Sequence, residues 1–341
     1  MWIFQRLFSK FITIKLWQVI LMTMFILLLS SYSMHRLEPE TFPRYLDALW
    51  WTMTTVVTVG YGDFYPKSDL GRIFTMLLLY TLGIGVMGII IGKIFESFSL
   101  YRKLKEEGKL KFSGKGHYIL IGSSKDKLVN VVEELIANES KCEIVIIDNS
   151  NQCPIQHERV HFISGDPSEE EVLLKANILE SNSVSVFGDE SITLSEYTDG
   201  KTLLIASRVE YISKKYDKSI YTIVEIMKEK HISLFEHAKV DEFILSNESV
   251  SRLMAQAAIH PGSSKLFKQL LSKADGENLY EIKKKPQWNT YKDASIELFE
   301  QGAILISDGN NLDIARRPNE NIPNHTKLFV ICDKETYEKI K

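Results

Sequence analysis

Two stretches of the chain, residues 16–34 and 73–92, run for 19 and 20 residues without a charged side chain. A helix rising about 1.5 Å per residue needs about 20 such residues to cross about 30 Å of hydrocarbon, so both read as membrane-spanning helices. A cleaved signal peptide would have a shorter apolar run followed by a small-residue cleavage site, and the second stretch would have no place in it. The charge distribution makes the same division. Residues 1–97 carry 14 charged side chains, 8 basic and 6 acidic, whereas the other 244 residues carry 71, 33 basic and 38 acidic. The formal charge of −3 over 341 residues therefore averages an oily part and a water-soluble part. A single soluble domain is excluded. So is a basic polyanion-binding protein, and no nucleic-acid partner is expected.

Basic residues mark the orientation. Arg6, Lys10 and Lys15 precede the first span, and Lys93, Arg102, Lys103, Lys105, Lys109 and Lys111 follow the second, whereas residues 35–72 carry mixed charge. The positive-inside rule then places both termini in the cytoplasm and the intervening segment outside, in a multi-pass protein of the cell membrane. At the start, Trp2, Phe4, Leu7, Phe8 and Phe11 recur at helical spacing among polar residues, the pattern of an interfacial helix over residues 1–15.

The segment between the spans is too apolar for a plain loop. Residues 44–56 read as a short amphipathic helix carrying Trp50 and Trp51, and it runs into Thr58, Val59, Gly60, Tyr61, Gly62 and Asp63. A half-length helix followed by irregular backbone is tolerated at membrane depth only where protein encloses it or where it lines a watery path. The sequence TVGYGD resembles the selectivity filter of potassium channels, in which stacked rings of backbone carbonyls replace the hydration shell of K+. Gly60 and Gly62 permit the dihedrals that turn successive carbonyls one way. Thr58 adds a hydroxyl at the inner end, Tyr61 braces the loop against the tryptophans, and Asp63 anchors the outer mouth. One chain supplies one loop, so closing a carbonyl ring around an ion requires a homotetramer in the lipid bilayer. In the second span Gly83, Gly85 and Gly88 lie within LGIGVMG. Such glycines serve close helix packing. The resemblance to two-span potassium channels implies a second use, a gate in which Gly83 is the bend and Ile84 and Gly88 face the pore. The pore domain then covers residues 16–97, with spans 16–34 and 73–95, a pore helix 44–56 and the filter 58–63.

Residues 98–115 are polar, basic and punctuated by glycine, and read as a linker. A strand at 117–121 follows, then the turn beginning at Gly122, a helix with Leu128, Val131, Val132, Leu135 and Ile136 at 3.6-residue spacing, and a strand at 143–147 ending at Asp148. This is the Rossmann order. The glycine fingerprint is incomplete, because Ser124 and Lys127 hold the places of the second and third glycines. Dinucleotide binding at Gly122 and Asp148 and a packing scaffold capped by Asp148 are both open readings. Strands at 160–164, 183–187, 219–224 and 242–245 alternate with helices, which makes a six-stranded, doubly wound parallel sheet. Residues 247–273 read as a helix–turn–helix around His260, Pro261 and Gly262 that leaves the sheet to pair with a neighbour. Residues 274–341 read as a small α+β lobe with strands at 302–307 and 327–332.

The stretches HYILIGSS, HFISGDPSEEEVLLKANI and IYTIVEIM, with the terminal lobe, resemble the regulator of potassium conductance (RCK) domain over most of residues 116–341. With the pore, the chain is similar to two-span bacterial potassium channels gated by RCK domains, the kind typified by calcium-gated archaeal channels. The resemblance implies an N-terminal lobe over 116–246, a ligand-gated channel rather than an enzyme, and an octameric RCK ring whose expansion pulls on the inner helices. Four of the eight domains come from the four chains. The source of the other four is open, since no methionine between Met87 and Met227 offers an internal start.

Calcium-gated relatives hold the ion with carboxylates at strand ends, because calcium demands several oxygen ligands. Glu225 matches one such position and is the candidate divalent-cation ligand, while Met227 and Phe187 stand where further acids are expected and Asp189 and Glu190 lie nearby. Gly122, Asp148 and Asp166 complete the candidate ligand-binding residues. The regulatory ligand is open among a divalent cation, a nucleotide, and cyclic di-AMP in the C-terminal lobe, where Arg316 and Arg317 would meet phosphate. Protons acting on His231, His237 or His260 are a further candidate. Cys142, Cys153 and Cys332 lack CxxC spacing and read as reduced thiols. The sequence holds no Walker loop, zinc motif or legible catalytic triad. The competing reading is a membrane-anchored regulatory or NAD-binding Rossmann protein without conduction, and it leaves TVGYGD without a role.

Overall fold

The computed structural model describes residues 15–122, 124–139, 141–272, 276–309 and 311–341, so the expected interfacial helix lies, apart from Lys15, outside the described residues. The chain divides into two compact units, Met1–Leu104 and Lys105–Lys341.

Among the described residues three helices build the first unit: α1 (Leu16–Leu37), α2 (Tyr45–Val56) and α3 (Asp69–Glu106). Both α1 and α3 are long and apolar enough to cross a membrane. Their outer faces are apolar, with Phe25, Leu77 and Phe95 65%, 72% and 69% exposed, while Ser30, Ser31, Thr52, Thr54 and Thr75 are buried. That inversion suits a lipid solvent, provided buried hydroxyls find partners. Ser31 Oγ donates to Leu27 O at 2.6 Å and Thr75 Oγ1 to Gly71 O at 2.8 Å, each one turn back along its own helix, whereas Ser30 Oγ and Thr52 Oγ1 have no hydrogen-bond partner among the described residues. Met34, Phe42, Ala48, Trp51, Val56 and Leu79 form the core that seats α2.

The N-terminal end of α3 is capped by Ser68, whose Oγ accepts from Gly71 N at 3.0 Å. Glu38, just past α1, ties this cap down by accepting from Lys67 N and Ser68 N, both at 2.9 Å, and from Ser68 Oγ at 2.5 Å. Burial pushes the Glu38 carboxyl up, but these hydrogen bonds outweigh it and hold the group below the usual carboxylate range.

Two features of α3 were not legible beforehand. Over Thr75–Gly83 its hydrogen bonds widen into π-helical turns before α-helix resumes at Ile84. The helix also continues to Glu106, through residues expected to be linker. Leu, Lys, Arg and Glu over 100–106 are good helix formers, and the stop comes only at Gly108, at φ +64°.

The second unit opens on six parallel strands in the order β3-β2-β1-β4-β5-β6. They are β1 (His117–Ile121), β2 (Ile144–Asp148), β3 (Val160–Ser164), β4 (Ser181–Val186), β5 (Thr222–Ile226) and β6 (Glu242–Leu245). A parallel sheet is covered on both faces, which is why β1 and β2 are nearly continuous apolar runs. One face, with Ile119, Val145, Val184 and Val224, packs on α5 (Glu170–Lys175) and α6 (Ser195–Tyr216). On the other, Leu120, Ile144 and Ile146 pack on Leu128 and Val132 of α4 (Lys125–Asn138).

Beyond the sheet, α7 (Ser246–Ile259) and α8 (Ser263–Leu271) contain no buried residue. The C-terminal lobe is an antiparallel sheet β7-β9-β8 with α9 (Tyr291–Glu300) and α10 (Lys334–Ile340). Its strands β8 (Ile304–Ser307) and β9 (Lys327–Cys332) fall within the expected runs. Strand β7 (Asn278–Lys283) was not foreseen, because only Asn278, Tyr280 and Ile282 point inward and the alternate positions are Leu279, Glu281 and Lys283.

Candidate functional site

The loop after α2 begins by overrunning the helix. Thr54 O accepts from both Val59 N at 2.9 Å and Gly60 N at 3.1 Å, so the helix terminus delivers residues 58–62 in a defined conformation. There φ alternates in sign: Thr58 at +62°, Gly60 at +56° and Gly62 at +76°, with Val59 and Tyr61 on the negative side. In an ordinary strand successive carbonyls oppose one another, whereas alternation of this kind turns them to one side. Glycine takes the left-handed conformation freely. Thr58 takes it at a cost of about 1–2 kcal/mol, a strain that no sequence rule anticipates.

Trp50 of α2 supports the loop twice. Its Nε1 donates to Asp63 Oδ2 at 2.8 Å, and its ring stacks parallel to Tyr61 with centroids 5.7 Å apart. Asp63 Oδ1 also accepts from Phe64 N at 3.0 Å. Beside the loop lies a cavity of about 430 Å³ lined by Thr54, Thr55, Thr58, Tyr80 and Ile84 among others. Gly83 ends the π-helical turns, and a Cβ there would stand 2.8 Å from Val56 Cγ2, so close packing against α2 requires glycine. Gly85 and Gly88 have open space where a Cβ would be, and Ile84 is half-exposed.

In the second unit Gly122, Asp148 and Asp166 lie at the carboxyl ends of β1, β2 and β3, where doubly wound folds bind ligands. Gly122, at φ +72°, donates its N–H to Ile147 O at 3.1 Å. Asp148 Oδ2 accepts from Ser150 N at 3.2 Å, and Asp166 Oδ1 from Ser168 N at 2.8 Å. The Ser168 amide holds the Asp166 carboxyl below its usual range. Each carboxylate thus already closes a local turn.

Glu225 is set apart, on β5, with β4 between it and Gly122. It is 6% exposed and accepts from Lys127 Nζ at 2.8 Å, Gly188 N at 2.9 Å and Ser246 Oγ. Lys127 also pairs with Glu190 at 3.0 Å. Burial works against the Lys127 charge, but the two carboxylates raise its pKa overall. The residue that stands in place of the third glycine therefore projects an ammonium into the crevice at the strand ends. An apolar cavity of about 370 Å³ opens beside it, lined by Val131, Phe187, Ile223 and Ile244 among others. Calcium needs about six to eight oxygen ligands. Here both Glu225 oxygens are engaged, Met227 offers a thioether, and no group of three or more His, Cys, Asp or Glu among the described residues is placed to hold a metal. In this structure Glu225 is one half of an internal ion pair with Lys127.

Of the other candidates, Arg317 and His231 are also engaged. Arg317 donates to Asp308 at 2.7 Å and to Asp313 at 2.9 Å and lies over the Tyr291 ring, so its guanidinium is committed inside the lobe. Arg316 is exposed. His231 Nδ1 stands 2.6 Å from Oδ2 of buried Asp199. Cys142, Cys153 and Cys332 are free thiols. Sequence reading missed the Lys127–Glu225 pair, whose one visible signal was a lysine in a glycine's place.

Residues 12–99 match the ion channel family, and residues 113–234 match the calcium-activated potassium channel slowpoke-like RCK domain. The chain is 31% identical over 232 residues to YugO of Bacillus subtilis, assigned as a potassium channel protein, covering 68% of each chain. It is 28% identical over 314 residues to TvoK of Thermoplasma volcanium, named as a calcium-gated potassium channel, covering 89% of this chain and 88% of that one. Among solved structures the human SLO3 gating ring aligns with 66% of this chain and 46% of its own, at a TM-score of 0.50 and 14% identity, a likeness of fold. Fold and matches together define an ion-conducting membrane pore joined to a Rossmann-like regulatory domain. The chain belongs to the potassium channels that carry an RCK domain.

Proposed function

We propose that four copies of the chain bring residues 58–63 together as a K+-selective filter, through which K+ passes down its gradient without chemical turnover. The observation that carries this is the alternation of φ across Thr58, Gly60 and Gly62, held by the double contact of Trp50 with Tyr61 and Asp63. Strain at a threonine is retained only where the surroundings impose it and function uses it. The carbonyls of residues 58–62 line the path, the Thr58 hydroxyl completes the inner ring, and Asp63 braces the outer mouth. Both termini face the cytoplasm. The inner helix α3 bends at its π-helical turns near Gly83, and Ile84 and Gly88 face the pore, with Gly85 beside them.

The RCK lobe over residues 116–246 forms an octameric ring with its copies. Residues 247–273 supply one contact between neighbours, since Val250, Met254, Ile259, Leu266 and Leu271 are 58–75% exposed on α7 and α8. A ligand opens the pore to the extent that it binds the expanded ring better than the contracted one. TvoK is named for calcium, but here Lys127 supplies the positive charge at Glu225. A nucleotide or cyclic dinucleotide remains as the ligand class, reaching the strand ends at Gly122, Asp148 and Asp166 or the C-terminal lobe.

Reconstitution in liposomes tests both halves. K+ flux that excludes Na+, and loss of its regulation on deleting residues 110–341, are the expected results. Unselective flux would overturn the filter, and flux indifferent to the deletion would overturn the ring.

A further inference from the structure

The chain beyond Glu106 is fastened to the second unit rather than free. Cys153 N donates to Glu106 O at 3.2 Å, Ser164 N to Gly108 O at 3.1 Å, Phe112 N to Lys175 O at 2.9 Å and Gly116 N to Glu180 O at 2.7 Å. Asn177 Nδ2 donates to Gly114 O at 2.7 Å. A Cβ at Gly108 would run into the backbone of Ile163 and Ser164, so the close approach there requires glycine. At the centre sits Phe112, 7% exposed and part of the sheet core. Its ring meets two imidazoles: His117 edge-on, with centroids 4.5 Å apart, and His161 tilted, at 4.7 Å.

We infer that Phe112 clamps the segment leaving the inner helix onto the RCK sheet, and that protonation of His117 and His161, which hold its ring, releases the clamp. His117 is fully buried, with Nε2 2.9 Å from Ala176 O and no hydrogen-bond partner for Nδ1 among the described residues. The backbone carbonyl fixes the proton on Nε2. A second proton at Nδ1 would therefore place a charge in a dry aromatic site with no acceptor. His161, on β3, has Nε2 3.5 Å from Glu143 Oε1.

The charged groups facing the pair are Glu143, which favours protonation, and Lys105, which opposes it at His161; Glu180 is engaged by Lys115 at 3.2 Å. Burial, the largest influence on each, pushes both imidazoles below the usual histidine range. Two like charges around one ring, one of them without an acceptor, outweigh the attraction of a cation for an aromatic face. The sign follows from linkage. A depressed histidine pKa stabilises the clamped form fully above about pH 6.5, and that stability is lost as pH falls through the depressed values.

The proposal rests on reading α3 as the inner helix of the pore, because its last turn is covalently continuous with the clamped segment. Release puts slack into the link between ring and gate.

Amide hydrogen exchange on the full-length protein in lipid nanodiscs reads the clamp without reference to conduction. Between about pH 8 and about pH 5, after correction for intrinsic exchange, opening of residues 106–116 should rise up to about tenfold per pH unit for each proton taken up, while β2 stays protected. His117→Gln should diminish that step. His161→Gln, at a position whose side chain is 26% exposed and so tolerant of change, should diminish it too and serves if the first variant misfolds. Phe112→Ala should open the segment across the whole range. Protection of residues 106–116 that does not change with pH, or a step undiminished by either histidine variant, overturns the clamp. K+ flux from the same proteins separates this from failure of the channel reading: flux indifferent to deleting residues 110–341 sinks that reading and leaves the exchange result standing.

Discussion

The chain contains two glycine-punctuated loops that follow a regular element and aim backbone at something, and they differ in what fills them. After α2, Gly60 and Gly62 are joined by Thr58 in the left-handed conformation, and Trp50 braces the result from outside. After β1, Gly122 keeps the left-handed turn, and the helix that follows contributes Lys127, whose ammonium occupies the strand-end crevice with Glu225 and Glu190. On the proposed reading the first loop leaves its backbone groups to be used by an ion. The second spends its electrostatic potential within the protein. Loops of similar composition thus end differently, one with its backbone braced from outside and one with a cation drawn into its crevice, and side chains 13 to 98 residues away decide which.

The largest effect expected from breaking this contrast is at the filter. Gly60→Ala forces an L-residue to φ +56° at a cost of about 1–2 kcal/mol in each copy of the chain, and K+ flux through the proposed filter should fall more than about a hundredfold. Flux close to wild type would mean that the loop's carbonyls do not carry the ion.

Next is Lys127→Met, which leaves Glu225 buried without its cation. A fully buried pair would lose about 3–5 kcal/mol, but Lys127 is 35% exposed, so about 1–3 kcal/mol is expected, read as a lower Tm. Calcium should leave the Tm of variant and wild type alike unchanged, since neither offers the oxygen ligands it needs. A wild-type rise with calcium would refute the internal-cation account.

Gly83→Ala pushes a methyl against Val56 Cγ2 at 2.8 Å and should cost about 1–2 kcal/mol, with altered open probability but unchanged selectivity. Single-channel recording distinguishes the two. A smaller effect belongs to Trp50→Phe, which keeps the stacking on Tyr61 and loses the bond to Asp63. About 1 kcal/mol per subunit is expected, seen as faster loss of conduction in low K+.

The smallest is a pH effect in the second unit. Lys201, with help from Ser191, holds the Asp189 carboxyl down to about 2. A depressed carboxylate stabilises the fold above its unfolded value and loses that contribution as pH falls from about 4 toward 2. The pair is exposed enough that under about 1 kcal/mol is expected, and Lys201→Ala should flatten the acid limb of the thermal stability curve by that amount.

Much of the architecture was legible in the linear sequence. The two uncharged runs became α1 and α3, and apolar runs such as HYILI and VHFIS became strands with the same bounds. Those signals are local, because lipid thickness and a sheet covered on both faces each dictate the composition of consecutive residues. Strand β7 escaped because an amphipathic edge-facing run with Glu281 and Lys283 looks polar, and the linker was placed too early because basic residues form helices as readily as they form loops. In the candidate regulatory region Glu225 is legible as an acid at a strand end, but its partner Lys127 is 98 residues away and the pairing depends on how α4 crosses the sheet.

By itself, then, the sequence determined that this chain has a two-span pore part and a soluble Rossmann-like part, since burial in lipid or in a parallel sheet leaves a periodicity or an uncharged run behind. Only the tertiary structure decided that Thr58 shares the glycines' conformation, that Gly83 is needed against Val56, that Lys127 stands as the cation at Glu225, and that Phe112 fastens the segment after α3. Each of these depends on which atoms meet across long stretches of chain. Such meetings are set by the packing of whole elements, and no window of neighbouring residues records them.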